Sequence, residues 1–288
     1  MPTNSPEPSA AVVTRHGLRC VALTLPGGDQ ALVALHGAQV ISWRTADGTE
    51  RLYLSPRSVL DGHTAIRGGI PVCFPQFADR GPLPKHGFVR NLPWTLQDMR
   101  PADAHTARAV LRLNDDAQSR AWWPYAFEAN LAVTLAPGRL RVDFAVQNTG
   151  DEAWAFTAAL HSYLHTADIA HTRLEGLAGT PFWDKVRNAD DVQTRPVLAF
   201  DGETDRVYQA RTPLQMVHPA GALAITQSDD WDSTVVWNPG AALGATLADM
   251  PPQGFAQMLC VEAGRVRSPF TLVPGAAWTG WQQLSATD

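Results

Sequence analysis

The clearest pattern of apolar and polar positions lies between residues 127 and 147. Apolar residues occupy every second position from Phe127 to Leu135 and again from Leu140 to Val146, with polar or small residues between them. The tripeptide Ala136-Pro137-Gly138 separates the two runs. Such alternation around a short turn predicts an antiparallel hairpin with one buried face and one face in water.

Comparable short strand patterns recur along the rest of the chain. The predicted strands lie within residues 17–44, 109–113, 154–165, 223–226, 234–237, 258–261, 270–273 and 278–284. A helical turn is predicted only at 117–123, where Pro124 would end it. The polar stretches 55–94 and 180–208 are predicted as long functional loops. Together these elements predict an all-β fold, a single large antiparallel β-sandwich over residues 11–288, preceded by a disordered tail over residues 1–10.

The composition is that of an ordinary globular chain, with 288 residues of which 45% are hydrophobic and 18% charged. A net charge of -5 argues against general nucleic-acid binding. Cys20, Cys73 and Cys260 are few and widely spaced, which predicts neither a disulfide framework nor a zinc site. The N-terminus lacks the pattern of a signal peptide, and no apolar run approaches membrane-spanning length. We therefore expect a cytoplasmic monomer that binds neither nucleic acid nor membrane.

The stretch 61–94 combines many Gly and Pro residues with a concentration of cationic side chains. Its basic residues are Arg67, Arg80, Lys85, His86 and Arg90. They alternate with apolar residues that must be buried, namely Ile66, Ile70, Val72, Phe74, Phe77, Phe88 and Trp94. Gly and Pro exclude a helix, so we expect a rigid irregular segment that packs on the protein body and orients its cations. Because the chain as a whole is acidic, a cluster of oriented cations in one segment is expected to bind an anion.

Three further residues are candidates for chemistry, and each has a plain structural alternative. His161 could be an ordinary buried histidine, or could bind a metal together with His165, although the Glu of the zinc-protease helix motif is missing after His161. Glu262 could be an exposed carboxylate at a strand end. Asp205 could form a loop salt bridge. Taken one at a time, none of them identifies a function.

In order along the chain, however, several short motifs resemble one family over residues 30–285. The motifs are Arg67-Gly68-Gly69-Ile70-Pro71, Phe74-Pro75-Gln76-Phe77, His86-Gly87-Phe88-Val89-Arg90, Leu160-His161-Ser162-Tyr163, Thr204-Asp205-Arg206, Val235-Val236-Trp237-Asn238-Pro239 and Cys260-Val261-Glu262. They resemble the signature of the aldose 1-epimerase superfamily, in its hexose-6-phosphate mutarotase (glucose-6-phosphate 1-epimerase) branch. The chain departs from the family pattern at Lys85, Ala78 and Gly240, where Gln, Gly and Trp are common, and at His165. The resemblance therefore specifies the reaction more closely than it specifies the outer rim of the site, which selects the sugar.

The resemblance implies a galactose-mutarotase-like β-sandwich with one acid and one base in its site. It implies that His161 is the catalytic acid and Glu262 the catalytic base. It also implies that Arg67, Lys85, Arg90 and Asp205 bind the substrate. His86 is implied to be a histidine that lines the site.

We therefore expect the protein to interconvert the α and β anomers of an aldohexose 6-phosphate, with glucose 6-phosphate as the preferred substrate. Glu262 would take the proton of the anomeric hydroxyl while His161 protonates the ring oxygen, and the opened ring would reclose on the other face. Arg67 and Arg90 would hold the phosphate, since guanidinium groups match phosphate oxygens. This chemistry requires no metal or other cofactor, so the rate should survive chelation. The alternatives are a neutral aldose (galactose or glucose) mutarotase, a glycoside hydrolase that uses Asp205 with Glu262, and a non-catalytic carbohydrate-binding protein.

Overall fold

Antiparallel strands dominate residues 7–287, the part of the chain that the computed structural model describes. The first strands and those of the central hairpin region are β1 (Ser9–Arg15), β2 (Leu18–Thr24), β3 (Gln30–Ala34), β4 (Val40–Arg44), β5 (Val72–Cys73), β6 (Thr95–Asp103), β7 (Thr106–Asn114), β8 (Phe127–Ala136), β9 (Arg139–Asn148) and β10 (Trp154–Leu160). The later strands are β11 (Tyr163–His165), β12 (Arg173–Glu175), β13 (Pro181–Asp184), β14 (Ala189–Val192), β15 (Val197–Ala199), β16 (Thr204–Tyr208), β17 (Leu214–His218), β18 (Gly221–Gln227), β19 (Ser233–Asn238), β20 (Met258–Leu272) and β21 (Ala277–Thr287).

The helices are short. Those in the described part of the chain are α1 (Ala117–Trp122), α2 (Gly240–Thr246) and three 3₁₀ turns at Val89–Asn91, Ile169–His171 and Gly254–Gln257. Asp116 caps α1, because its carboxylate accepts the backbone N–H of Ser119 while the Ser119 hydroxyl accepts the N–H of Asp116. No helix among the described residues is long and apolar enough to cross a membrane.

Within residues 7–287 the strands form three sheets. The first sheet has the order β1-β2-β3-β4. The second has the order β14-β13-β16-β19-β20-β10-β5, with β11 also paired to β20. The third has the order β15-β12-β17-β18-β21-β9-β8-β7-β6. The all-β prediction and the large antiparallel sheets are thus confirmed, and the hairpin predicted at 127–147 is the β8–β9 pair.

The largest cluster of buried apolar side chains draws on all three sheets, for example through Val21 of β2, Phe144 of β9 and Leu259 of β20. One face of the second sheet packs into this core and contributes Val236 and Val261. Because side chains alternate along a strand, the neighbouring residues of the same strands point to the opposite face, where the pocket described below lies.

Several boundaries differ from the sequence predictions. The predicted loop 180–208 is wrong, because β13 to β16 run through it. This stretch is polar partly because it contains β14, an edge strand whose residues are all exposed. Backbone pairing holds β14 in the sheet, so no apolar pattern marks the strand in the sequence. The strands predicted at 258–261 and 270–273 are one strand, β20, whose polar middle is exposed. Of the predicted tail, residues 1–6 lie outside the described residues, whereas Ser9 and Ala10 already belong to β1.

The stretch 61–94 is largely irregular, as predicted, but it is bonded into the sheets at several points. Val72–Cys73 forms β5 and pairs with β10. Isolated bridges join Ile70 to Val40 and Gly87 to Phe74. These contacts fix the backbone that carries the basic residues over the second sheet.

Candidate active site

A pocket of about 640 Å³ opens on the face of the second sheet that points away from the main core. Strands β13, β16, β19 and β20 and the β10–β11 region supply one side, and the segments around 64–90 and 243–249 supply the others. All the residues predicted for the site line this pocket, namely Arg67, Lys85, His86, Arg90, His161, Asp205 and Glu262. The structure therefore brings together side chains that are far apart in the sequence.

His161 and Glu262 meet on neighbouring strands of the second sheet. Leu160, the last residue of β10, pairs with Ala263, and Tyr163, the first residue of β11, pairs with Cys260. His161 lies in the break between β10 and β11, so that its imidazole Nε2 is 3.4 Å from the Oε1 of Glu262. The register of three strands, rather than any local motif, sets this distance.

Both members of the pair are buried, with His161 7% and Glu262 1% exposed. Burial raises the pKa of Glu262 well above its ordinary value; Asp205 adds to this rise and Lys185 opposes it. Burial also lowers the pKa of His161, and the positive charges of Arg90 and Arg67 lower it further. At 3.4 Å the two groups titrate as one unit, and both shifts favour a pair that holds a single proton over a wide pH range.

One polar atom of each side chain has no hydrogen-bond partner among the described residues. Among the residues that the structure describes, neither the Nδ1 of His161 nor the Oε2 of Glu262 has a hydrogen-bond partner, although both atoms are buried. Buried polar atoms are nearly always paired, and unpaired ones are typical of places where a ligand or water binds. The pair is thus suited to accept and donate protons at a bound molecule.

His86 faces His161 across the pocket, with ring centroids 5.3 Å apart. Its Nδ1 accepts the backbone N–H of Ala78 at 3.3 Å, so in the neutral ring the proton sits on Nε2. The thiol of Cys73 lies 3.3 Å from the same Nδ1. Burial lowers the pKa of His86, and the neighbouring His161 and Arg90 lower it further. His86 is therefore neutral and can donate one hydrogen bond from Nε2.

Arg67 is fixed by a carboxylate and a phenol. Its Nε donates to Oδ2 of Asp249 at 3.1 Å, its Nη2 lies 3.1 Å from Oδ1, and its Nη1 donates to the hydroxyl of Tyr163 at 3.2 Å. Burial alone would lower the pKa of Arg67, but Tyr163 and Asp249 more than offset this effect and raise it. Three of its five N–H groups are thus used, and two remain.

Arg90 and Lys85 lie next to each other on the loop side of the pocket. The Nη2 of Arg90 donates to the backbone carbonyl of Lys85 at 2.9 Å. The buried Nε of Arg90 has no partner among the described residues. This leaves the guanidinium of Arg90 with unused donors beside the exposed Lys85.

Asp205 lies on the opposite side, on β16, and is paired with Lys185. The Nζ of Lys185 is 3.2 Å from Oδ2 of Asp205, and the backbone N–H of Lys185 donates to the carbonyl of Asp205 at 2.8 Å. Burial raises the pKa of Asp205, while Lys185 lowers it and so helps the carboxylate to stay ionised. The salt bridge expected for Asp205 exists, but it lies inside the pocket rather than in a loop.

Sequence reasoning did not select several other residues that line the pocket, notably Tyr163, Trp183, Lys185, Trp237 and Asp249. Lys185 fell in a segment predicted as loop. Trp237 and Tyr163 lie within motifs that resemble the family but carried no assigned role. Asp249 gave no signal, because its partner Arg67 is 182 positions away in the chain.

A metal site was also considered. His165 does not line the pocket, so the structure does not bring it to His161 there. Among the described residues, His161, Cys260 and Glu262 place ligand atoms within 4.8 Å of one another. Burial and the nearby Glu262 raise the pKa of the Cys260 thiol well above its ordinary value. A metal bound here would have to displace the proton of this thiol, which adds a cost to binding at this donor set.

Comparison with known proteins places the geometry in context. A protein from Cenchrus ciliaris with the name "Putative glucose-6-phosphate 1-epimerase" is 33% identical over 98% of this chain and 89% of its own length. A protein of the same name from Escherichia coli is 35% identical over 81% of this chain and 79% of its own. The crystal structure of a "putative mutarotase" from Salmonella typhimurium has a TM-score of 0.88 and 27% identity, and the match covers 100% of this chain and 96% of that one.

A galactose mutarotase-like protein from Clostridium acetobutylicum shares the fold, with a TM-score of 0.77 at 15% identity over 98% of this chain and 99% of that one. The sequence profile of the aldose 1-epimerase family matches residues 19–285. This match covers nearly all of the chain, including each of the pocket residues named above. The chain therefore belongs to the aldose 1-epimerase family.

Proposed function

We propose that this protein interconverts the α and β anomers of an aldohexose 6-phosphate, with glucose 6-phosphate as its preferred substrate. The observation that carries the proposal is the buried His161–Glu262 pair, 3.4 Å apart, in a pocket that also holds several cationic side chains. The pair supplies the acid and the base that ring opening requires, and the cations supply a site for the phosphate. The "Putative glucose-6-phosphate 1-epimerase" names of the relatives agree with this assignment.

The proton transfers balance within the pair. In the form with a carboxylate and an imidazolium, Glu262 removes the proton from the anomeric hydroxyl while His161 gives its proton to the ring oxygen. The bond between the anomeric carbon and the ring oxygen breaks, and the aldehyde forms. The pair then holds its single proton on Glu262. After rotation about the bond between the first and second carbons, the same steps run in reverse on the other face of the aldehyde.

Burial helps this cycle. In water a carboxylic acid is more acidic than an imidazolium, so the proton would rest mainly on the histidine. The raised pKa of Glu262 and the lowered pKa of His161 shift the balance toward the form with the proton on Glu262. Ring opening and reclosure use opposite forms, so this shift makes the second form of the pair accessible to the cycle.

The remaining pocket residues can hold the sugar. His86 can donate from Nε2 to a sugar oxygen, and Asp205, which Lys185 helps to keep ionised, can accept from a sugar hydroxyl. The unused N–H groups of Arg90 and Arg67, with Lys85 beside them, are the donors that we assign to the phosphate. Charge-assisted hydrogen bonds of this kind contribute roughly 1.5–3 kcal/mol each.

The decisive experiment is magnetisation exchange between the anomeric protons of glucose 6-phosphate at catalytic protein concentration. We expect rapid exchange that depends on the protein, and a much smaller specificity constant for free glucose. Glu262→Gln serves as the control that keeps the pocket but lacks the base. No acceleration of exchange would leave a carbohydrate-binding protein, and equal specificity constants for the two sugars would point to a neutral aldose mutarotase. Sugar release from an aryl glycoside would instead support the hydrolase alternative.

We also propose that the protein acts as a cytoplasmic monomer. A single chain supplies every pocket residue named above, so the site is complete without a second copy. Cys20, Cys73 and Cys260 are all buried and unpaired, which fits a reducing compartment. Light scattering of the eluted protein would test the oligomeric state, since a stable dimer would show twice the mass of the chain.

A further inference from the structure

The imidazole of His161 lacks the hydrogen bond that usually orients a catalytic histidine. Such a histidine commonly donates from its second ring nitrogen to a carboxylate or carbonyl, which fixes the ring plane. Here the Nδ1 of His161 is buried and has no partner among residues 7–287. Its Nε2 faces Glu262 at 3.4 Å, a distance that is long for a strong hydrogen bond. The backbone of His161 itself also acts on the ring and raises its pKa, but a contact within one residue does not tie the ring to the rest of the site. Packing against neighbouring side chains must therefore help to hold the ring.

The aromatic ring of Tyr163 is placed so that it can hold the imidazole of His161. It lies flat against the imidazole, with ring centroids 4.7 Å apart and planes only 9° from parallel. The other aromatic neighbours of His161 meet it edge to face, namely His86 at 5.3 Å and Trp237 at 6.1 Å. Trp237 also packs edge to face on Tyr163. The rings thus limit rotation of the imidazole without a hydrogen bond.

The ring of Tyr163 is itself held in place. Its side chain belongs to a buried cluster with Met250, Met258 and Cys260, and the residue is 3% exposed. Its hydroxyl accepts from Nη1 of Arg67 at 3.2 Å. The Nε and Nη2 of Arg67 in turn contact the two carboxylate oxygens of Asp249. A fixed phenol can transmit this rigidity to the imidazole stacked on it.

We propose that Tyr163 is the positioning residue for His161, and that its stacked ring sets the plane in which the imidazole exchanges a proton with the sugar. The proposal rests on the proposed function only in taking His161 as the acid.

The kinetic test compares Tyr163→Leu, which removes the stacked ring, with Tyr163→Phe, which removes only the hydroxyl. We expect Tyr163→Leu to lower kcat for glucose 6-phosphate about 10- to 100-fold, as small misplacements of catalytic groups do, with a much smaller change in KM. Tyr163→Phe should restore most of kcat. A Tyr163→Leu variant with normal kcat, or a Tyr163→Phe variant as slow as Tyr163→Leu, would overturn the proposal.

Tyr53 provides a matched control. It is a tyrosine of the same buried cluster, with 3% exposure, but the aromatic rings that pack on His161 among the described residues are those of Tyr163, His86 and Trp237. Tyr53→Leu should destabilise the fold by a comparable amount and leave kcat of the folded fraction nearly unchanged. If Tyr53→Leu lowers kcat as much as Tyr163→Leu, the effect is general to the cluster and the proposal fails.

A second measurement does not depend on activity. In protein with isotope-labelled histidine, the ring signals of His161 can be assigned by their absence in His161→Asn. In the unmutated protein and in Tyr163→Phe we expect upfield-shifted, rigid ring signals, because an aromatic ring lies on the imidazole. Tyr163→Leu should lose both features, and an imidazole that stays rigid in Tyr163→Leu would refute the positioning role. A protein without exchange activity but with this NMR behaviour would refute the proposed function and leave the positioning role standing.

Discussion

His161 and Glu262 show how a single pair of residues can be tuned by burial. A lone buried carboxyl and a lone buried imidazole are each costly when charged. Placed 3.4 Å apart, they can share one proton and remain neutral as a pair in either form. The Arg67 and Arg90 charges disfavour a second proton on His161, and Asp205 disfavours ionisation of Glu262.

Replacement of either partner should therefore abolish most catalysis without unfolding the protein. We expect Glu262→Gln and His161→Asn each to slow anomer exchange by about 10²- to 10⁴-fold, the usual contribution of a general acid or base. Glu262→Gln should keep or raise Tm, because it removes a buried acid whose Oε2 has no partner among the described residues. Exchange kinetics and thermal unfolding measure the two effects, and a variant with a near-normal rate would remove that residue from the mechanism.

The same pair predicts the pH profile of kcat. Activity requires one proton on the pair. The lowered pKa of His161 means that a second proton binds only below the ordinary imidazole pKa of 6.5. The raised pKa of Glu262 means that the last proton leaves well above the ordinary carboxyl value of 4.5. We expect a broad plateau across neutral pH, with the acid limb displaced below 6.5.

Saturating free glucose is the better substrate for this profile, because the phosphate group of glucose 6-phosphate titrates near pH 6 itself, by its second pKa of roughly 6. The rate without protein is subtracted at each pH. An acid limb centred at or above the ordinary imidazole pKa would show that the site does not depress the pKa of His161.

Among the elements, the segment 61–94 most directly links backbone conformation to the site. Gly87 has a φ of +70° and follows His86, whose φ is +67°. The backbone of Gly87 bridges to Phe74, and an added Cβ would overlap the carbonyl oxygen of that residue. Two successive residues in the left-handed region turn the imidazole of His86 into the pocket, and only glycine fits the second position.

Gly87→Ala should therefore damage both stability and activity. Gly138, in the β8–β9 turn, has a φ of +62° but no atom within 4 Å of an added Cβ, so Gly138→Ala measures the conformational penalty alone. We expect Gly138→Ala to lower the free energy of unfolding by about 1 kcal/mol, and Gly87→Ala to lower it by more and to reduce kcat. Urea titration and exchange kinetics provide both values. Equal destabilisation in the two variants would mean that the segment can move to accept the methyl group.

At the scale of the whole molecule, the distribution of charge is uneven. The chain carries a net charge of -5, yet Arg67, Arg80, Lys85, Arg90 and Lys185 all line one pocket. The acidic residues Asp79, Glu203, Asp205, Asp249 and Glu262 line the same pocket, so its formal charge is balanced, whereas that of the whole chain is negative. Asp249 and Asp205 neutralise Arg67 and Lys185. The buried Nε of Arg90 remains without a partner among the described residues, so this side of the pocket keeps the capacity to bind an anion.

We therefore expect Arg90→Ala to raise KM for glucose 6-phosphate about tenfold or more, since each charge-assisted hydrogen bond contributes roughly 1.5–3 kcal/mol. The specificity constant for free glucose should hardly change, and inorganic phosphate should lose its ability to compete. Arg139→Ala, which removes an exposed cation at the start of β9, controls for the change in net charge. If Arg90→Ala weakens both sugars equally, or if phosphate never competes, the phosphate does not bind at Arg90.

The sequence by itself determined the class of the fold and singled out residues that line the pocket. Alternation at 127–147 specifies a half-buried hairpin wherever it occurs, because side chains of a strand point to opposite faces in turn. Gly and Pro at 61–94 likewise exclude a long helix or strand, and only the short β5 and one 3₁₀ turn form there. These are local constraints, and a local pattern suffices to reveal them. The polar edge strand β14 escaped prediction because its pairing leaves no apolar pattern.

Only the tertiary structure decided which residues meet. The distance between His161 and Glu262 depends on the register of β10, β11 and β20, which no local motif encodes. The same holds for Arg67, which lies 182 positions from Asp249 and 96 from Tyr163 in the chain but contacts both. Protonation follows from these contacts, because desolvation and neighbouring charges act through space. For this reason the sequence could propose an acid and a base, whereas the 3.4 Å distance between them and the ring stacked on His161 became visible only in the folded chain.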